Sequence, residues 1–182
     1  MRIITLSTAL AAALLARNAG AVTITSTLDD LGSGRYEYGY EVLNDDLAVA
    51  IDEFTIFFDL GLYENLAVTA SPAGWDSLSV EPDPGLPDDG FFDSCSSIFC
   101  FGSGLGITPG TALGGFSVAF DYLGAGLPGS QYFQIVDPLT FGVLGEGFTE
   151  PAVSVPEPGT LSLLLAGLFV FVRRKPGTQL RA

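Results

Sequence analysis

The stretch Tyr36-Glu37-Tyr38-Gly39-Tyr40-Glu41-Val42 decides the fold. Along a β-strand, successive side chains point to opposite faces of the sheet. Read that way, Tyr36, Tyr38, Tyr40 and Val42 line one face, and Glu37, Gly39 and Glu41 line the other. A helix would scatter the same aromatics around its circumference. Strict alternation with one apolar face therefore predicts a half-buried strand of an antiparallel sheet.

The same period of two appears up and down the chain. Val22 to Thr25 alternates apolar and polar residues. Phe54, Ile56 and Phe58 share a face, as do Leu66, Val68 and Ala70, and Phe116, Val118, Phe120 and Tyr122. In QYFQIVD, Phe133 and Ile135 lie on one side and Tyr132 and Val136 on the other. Turn-forming residues separate these runs: Asn44-Asp45-Asp46, Ser71-Pro72-Ala73-Gly74, Thr108-Pro109-Gly110, Leu127-Pro128-Gly129-Ser130 and Asp137-Pro138. No long amphipathic helix and no strict internal repeat interrupts the pattern between residues 22 and 152. Seven to nine short strands are expected, packed as an all-β antiparallel β-sandwich, either immunoglobulin-like or jelly-roll-like. Glu81 to Asp93, rich in Pro, Asp and Gly, is expected to be a long surface loop. Trp75 is expected to anchor its loop to the core, and the tyrosine stripe to be core rather than a sugar-stacking platform.

The two ends have a different character. Arg2, the apolar run Ile3 to Ala16 and the small residues Ala19-Gly20-Ala21 have the order of a secretory signal peptide, over residues 1–21. That assignment predicts an N-terminal signal helix that is cleaved to leave Val22 first, an uncleaved anchor being the alternative. Near the other end, Pro156-Glu157-Pro158 is followed by an apolar run from Thr160 to Val172 and then by Arg173, Arg174 and Lys175. As a helix those thirteen residues reach only about 20 Å, against a bilayer core of roughly 30 Å. Residues 160–172 are thus expected to form a short transmembrane helix that spans with local thinning of the bilayer, its cations reaching for headgroups. The basic cluster places the C-terminal side in the cytoplasm.

The order of these three parts resembles the PEP-CTERM sorting domain of exported bacterial proteins. The Pro-Glu-Pro signature is Pro156, Glu157 and Pro158, and the basic stop is Arg173, Arg174 and Lys175. The resemblance covers residues 153–182. It implies that the protein is the substrate of an exosortase, a membrane-embedded cysteine transpeptidase-like enzyme, and is processed near Pro156 to Pro158. It also implies export, anchoring in the inner membrane, and release to the cell envelope or an extracellular polysaccharide matrix. Two further likenesses concern the sandwich. Gly115 to Val118, Tyr122 to Gly124, Pro128 to Gln131 and Ile135 to Pro138 resemble a pattern in the exported part of PEP-CTERM proteins. YEYGYEVLND is similar to the opening strand of immunoglobulin-like modules on bacterial surfaces.

Composition narrows the function. The chain has 182 residues, 21 Asp and Glu, 7 Lys and Arg and no histidine. Arg35 is the one cation among residues 22–172, whereas every carboxylate lies in that span. Such a domain cannot neutralise phosphates, so nucleic acid is not an expected partner. Without histidine, and with its single lysine at Lys175, the chain lacks the usual bases for nucleophilic catalysis, and no enzyme is expected. Cys95 and Cys100 are expected to pair in an oxidising compartment, free thiols being the alternative. Asp83, Asp88, Asp89 and Asp93 lie within one Gly/Pro-rich stretch and form a candidate calcium site, although their spacing does not fit an EF-hand. The expected function is that of a non-enzymatic envelope or extracellular-matrix protein. The alternative is a carbohydrate- or calcium-dependent binding module, such as an adhesin.

Overall fold

The computed structural model describes residues 22–152. They form ten strands: β1 Thr23–Gly32, β2 Arg35–Leu43, β3 Glu53–Phe58, β4 Tyr63–Ala70, β5 Asp76–Val80, β6 Gly90–Cys95, β7 Ala112–Tyr122, β8 Tyr132–Val136, β9 Val143–Phe148 and β10 Glu150–Pro151. One 3-10 turn, Ile98–Cys100, follows β6. The strands make two five-stranded sheets, in the orders β10-β1-β2-β7-β4 and β5-β6-β3-β8-β9. Among sequence-adjacent strands, only β1–β2, β5–β6 and β8–β9 are neighbours within a sheet; every other connection crosses to the other sheet.

The sheets meet face to face through aromatic side chains. Phe54 of β3 stands edge-on to Phe116 of β7, with ring centroids 4.9 Å apart. Phe58 meets Phe120 at 5.7 Å, and Tyr40 meets Phe92 at 6.1 Å. Ile24, Val42, Ile56, Val118, Phe133 and Ile135 fill the remaining space and are fully buried. Each is an inward position of the period-2 pattern, so burial of these rings and branched chains is the main force joining the layers. Trp75 packs on Phe54 and Phe116, at 5.9 and 5.1 Å, and anchors its loop as expected. Tyr38 and Tyr40 are each 3% exposed. They belong to the core.

The expectation of purely antiparallel pairing needs one correction. β10 lies parallel to β1, with Thr25 opposite Glu150 and Ser26 opposite Pro151. Thr149 holds this closing segment in place: its backbone N–H donates to the Gln131 carbonyl at 2.8 Å, and its hydroxyl accepts from the Gln131 N–H at 2.9 Å. The buried Gln131 side chain in turn bonds the Tyr40 and Tyr63 hydroxyls and the Gly129 carbonyl. Desolvation raises the pKa of Tyr40 and Tyr63, so both stay neutral and serve as donors and acceptors for this amide.

A second correction concerns Glu81 to Asp93. Its last residues are not loop: β6 starts at Gly90, and Phe92 is fully buried. Asn44 also departs from a simple surface turn. It is fully buried, and its side-chain amide donates to the carbonyls of Val49 and Ile107, both at 2.9 Å. Asn44 thereby ties the β2–β3 and β6–β7 connections together. Residues 1–21, the Pro156–Pro158 motif, the 160–172 apolar run and the Arg173–Lys175 cluster lie outside the described residues. Among the described residues, no helix is long and apolar enough to cross a membrane.

Candidate functional site

Adjacent aromatic residues in a strand must face opposite ways. Phe57-Phe58, Phe91-Phe92 and Tyr132-Phe133 are three such pairs. In each pair the second ring enters the core and the first ring is left on the outer face of the β5-β6-β3-β8-β9 sheet. Register then brings the outer rings together. Phe57 pairs with Phe91 across β3–β6, and Tyr132 pairs with Phe148 across β8–β9. The Phe57 and Tyr132 centroids are 5.5 Å apart, and those of Tyr132 and Phe148 are 5.7 Å apart. Successive ring planes tilt by 32° and 59°. Phe148 is 67% exposed. The result is a twisted aromatic strip across four strands, flanked on β5 by exposed Leu78 and Val80.

A polar row runs beside the strip. Asp93 and Gln134 flank Thr55 in register, and Glu146 follows opposite Gln134. The Thr55 hydroxyl donates to Asp93 Oδ1 at 2.7 Å. The Tyr132 hydroxyl donates to Glu146 Oε2 at 2.6 Å and accepts from Gln134 Nε2 at 3.0 Å. The Glu146 carboxylate beside it raises the Tyr132 pKa, so the phenol keeps its proton. β9 can approach closely because Gly147 has no side chain: a Cβ there would stand 3.0 Å from the Phe133 ring.

One step further along the same face, Glu53 sits opposite Cys95 and Val136. Cys95 and Cys100 form a disulfide with their Cα atoms 5.9 Å apart. The Glu53 carboxylate lies within 4.8 Å of both sulfurs. Burial, followed by the charges of Asp93 and Asp137, pushes the Glu53 pKa up to about 7. Asp93 is raised as well, first by burial and then by Asp76. The face is therefore acidic, yet part of its charge is suppressed near neutral pH.

The four aspartates of the candidate calcium site do not converge. Asp83 and Asp88 pair as a small antiparallel bridge, and Asp83 Oδ1 accepts from the Gly85 N–H at 2.7 Å. Asp89 Oδ1 accepts from the Leu60 N–H at 2.8 Å. Asp93 points out from β6 and bonds Thr55. Among the described residues, the group of three potential ligands that does come together is Glu53 with Cys95 and Cys100. Sulfurs already joined in a disulfide are not thiolate ligands.

The other sheet offers a groove of about 320 Å³ beside a bulge at Gly115, where φ is +95°. Thr25, Thr27, Glu41 and Ser117 line it, and no exposed aromatic ring does. At the loop end of the sandwich a cavity of about 260 Å³ is lined by Val49, Asp52, Phe99, Asp137, Leu139 and Leu144.

No curated protein matches the chain. A solved structure described as a family 3b carbohydrate-binding module from the biomass sensoring system of Clostridium clariflavum is similar at 12% identity and a TM-score of 0.34. That similarity covers 57% of this chain and 71% of the module. Residues 154–175 match the PEP-CTERM protein-sorting motif. The chain thus carries the sorting motif that the order of Pro156–Pro158, apolar run and Arg173–Lys175 resembles, and the motif implies export and an exosortase as partner.

Proposed function

We propose that this chain is an exported, non-enzymatic protein of the cell envelope or extracellular matrix. The apolar run Thr160 to Val172 holds it in the inner membrane until an exosortase cuts near Pro156 to Pro158. The observation that carries this reading is the match of residues 154–175 to the sorting motif. The non-enzymatic part draws on composition: there is no histidine, and the only lysine is Lys175. An acidic domain of this kind repels itself and stays soluble once released.

Mass spectrometry of the protein recovered from cell and medium fractions of its native host tests the proposal. The expected product begins at Val22 and ends close to Pro156–Pro158. Glu157→Ala is expected to accumulate with its tail intact in the membrane fraction. Recovery of the full-length chain from the cytosol would overturn the reading.

A further inference from the structure

We propose that the outer face of the β5-β6-β3-β8-β9 sheet binds a single strand of neutral polysaccharide. The inference deepens the matrix assignment by naming what the domain holds, and it rests on that assignment for where the glycan is met.

The face combines two kinds of surface side by side. Exposed Phe148 and the half-buried rings of Tyr132 and Phe57, in contact one after the next, form an apolar strip of the sort that marks an interaction site. A parallel row of hydrogen-bonding groups stands two residues along the same strands, on the same face. A pyranose ring has a matching division, with C–H bonds on its flat faces and hydroxyls around its rim. Its faces can lie on Phe57, Tyr132 and Phe148 while its rim reaches Asp93, Gln134 and Glu146. The strip is also fixed before any ligand arrives. Tyr132 is clamped between two rings and tied through its hydroxyl to Glu146 and Gln134. Fixing these groups in advance lowers the ordering cost of binding.

Charge decides among the occupants. The face carries Asp76, Glu53, Asp93 and Glu146, and no cation. Arg35, the sole cation of residues 22–172, is on the other sheet, held by Asp121 at 2.9 Å. A second copy docked face to face would set four carboxyl groups against four, with nothing to neutralise them. Anionic lipids and uronate-rich polymers meet the same repulsion. A neutral chain meets none, and carboxylates are strong acceptors for its hydroxyls. The tilt from ring to ring turns the strip along its length, which suits a free strand and not a flat crystalline surface.

Native electrophoresis of the full chain in mild detergent tests this, through gels cast with mixed-linkage β-glucan, xylan, galactomannan or alginate. At least one neutral polymer should retard the protein, equally at low and high salt. Phe148→Ala and Tyr132→Ala should each weaken that binding about tenfold, roughly one lost ring contact. Tyr132→Phe, which keeps the ring, should retain most of it. Phe101→Ala, an exposed ring beyond the disulfide, should bind like the parent. Melting temperatures only slightly below the parent's, with full folded circular dichroism, identify the losses as losses of contact. The proposal is overturned if no neutral polymer retards the chain, if alginate is preferred, or if Phe148→Ala binds like the parent. It is also overturned if sedimentation shows a dimer that Phe148→Ala dissolves, or if retardation vanishes with salt. An untrimmed cytosolic protein that still binds glucan would instead sink the export reading and leave this one standing.

Discussion

The two sheets present similar apolar faces to each other and unlike faces to the outside. The outer face of the β10-β1-β2-β7-β4 sheet is small and polar. It carries Thr25, Thr27, Glu37, Glu41 and Asp121, with the Thr69 and Ser117 hydroxyls 2.6 Å apart. Its one ion pair, Arg35 to Asp121, is reinforced by the Asn65 amide at 2.7 Å, and these partners, Asn65 first, hold the Asp121 carboxyl below its usual range. The outer face of the second sheet carries Phe57, Phe91, Tyr132 and Phe148. Solvation explains the first arrangement. It does not explain the second, because exposed Phe148 and the half-buried Phe57, Phe91 and Tyr132 rings gain nothing from water. The difference shows that alternation fixes which residues face the core and leaves the opposite face open to other demands.

Four measurements can break or sharpen that contrast. The largest effect belongs to what the sheets share. Phe54→Ala, at the contact between layers, should cost about 3–5 kcal/mol in chemical unfolding. A cost below about 1 kcal/mol would mean that the two layers are not joined by these rings. Next comes the disulfide at the acidic edge of the aromatic face. Cys95→Ser with Cys100→Ser should lower stability by about 2 kcal/mol, the loop-closure value for so short a loop.

A third, smaller effect is pH-dependent and confined to the second sheet. Glu53 has a folded pKa of about 7 against an ordinary value of 4.5. The folded state therefore binds more protons between those values, and stability must fall as pH rises through the window. Asp93, also raised by burial, adds the same sign. Asp121 and Asp137 are lowered, so they act only in acid, where stability falls as pH drops. Melting temperature should thus be higher at pH 5.5 than at pH 8, and Glu53→Gln should flatten that slope. A parent protein that melts higher at pH 8 contradicts the assignment. The smallest effects are at the two surfaces. Arg35→Ala should cost under about 1 kcal/mol, as exposed ion pairs do, and Phe148→Ala about 0.5 kcal/mol or less. If Phe148→Ala instead costs as much as a core ring, the aromatic strip is structural and the contrast between the faces disappears.

Much of the fold was legible because its cause is local. Tyr38, Tyr40, Phe54, Phe58, Phe116, Phe120 and Phe133 are inward positions that strict alternation identifies without any partner. β5, β6 and β9 were not legible. β6 begins inside a stretch crowded with Pro, Asp and Gly, and β9 contains Gly145 and Gly147, which local propensity places in turns. Position 147 of that strand holds glycine because a Cβ there would stand 3.0 Å from the Phe133 ring, a condition set by a residue fourteen positions away. The placement of the four candidate calcium ligands was not legible for a related reason. Asp83, Asp88, Asp89 and Asp93 are close in sequence, but strand β6 carries Asp93 to Thr55 while Leu60 and Gly85 engage Asp89 and Asp83.

The aromatic strip was half legible. Three adjacent aromatic pairs require three outward rings, and that follows from strand geometry alone. Which outward rings meet depends on the register of four strands distant in the chain. The sequence by itself determined the sorting motif at residues 154–175, the charge imbalance and the division of each strand into an inner and an outer side, because each is a property of neighbours along the chain. Only the tertiary structure decided that Phe91, Phe57, Tyr132 and Phe148 form one surface and that Glu53 lies beside the disulfide. Backbone pairing between strands sets those distances, and pairing is settled by the burial of the opposite face.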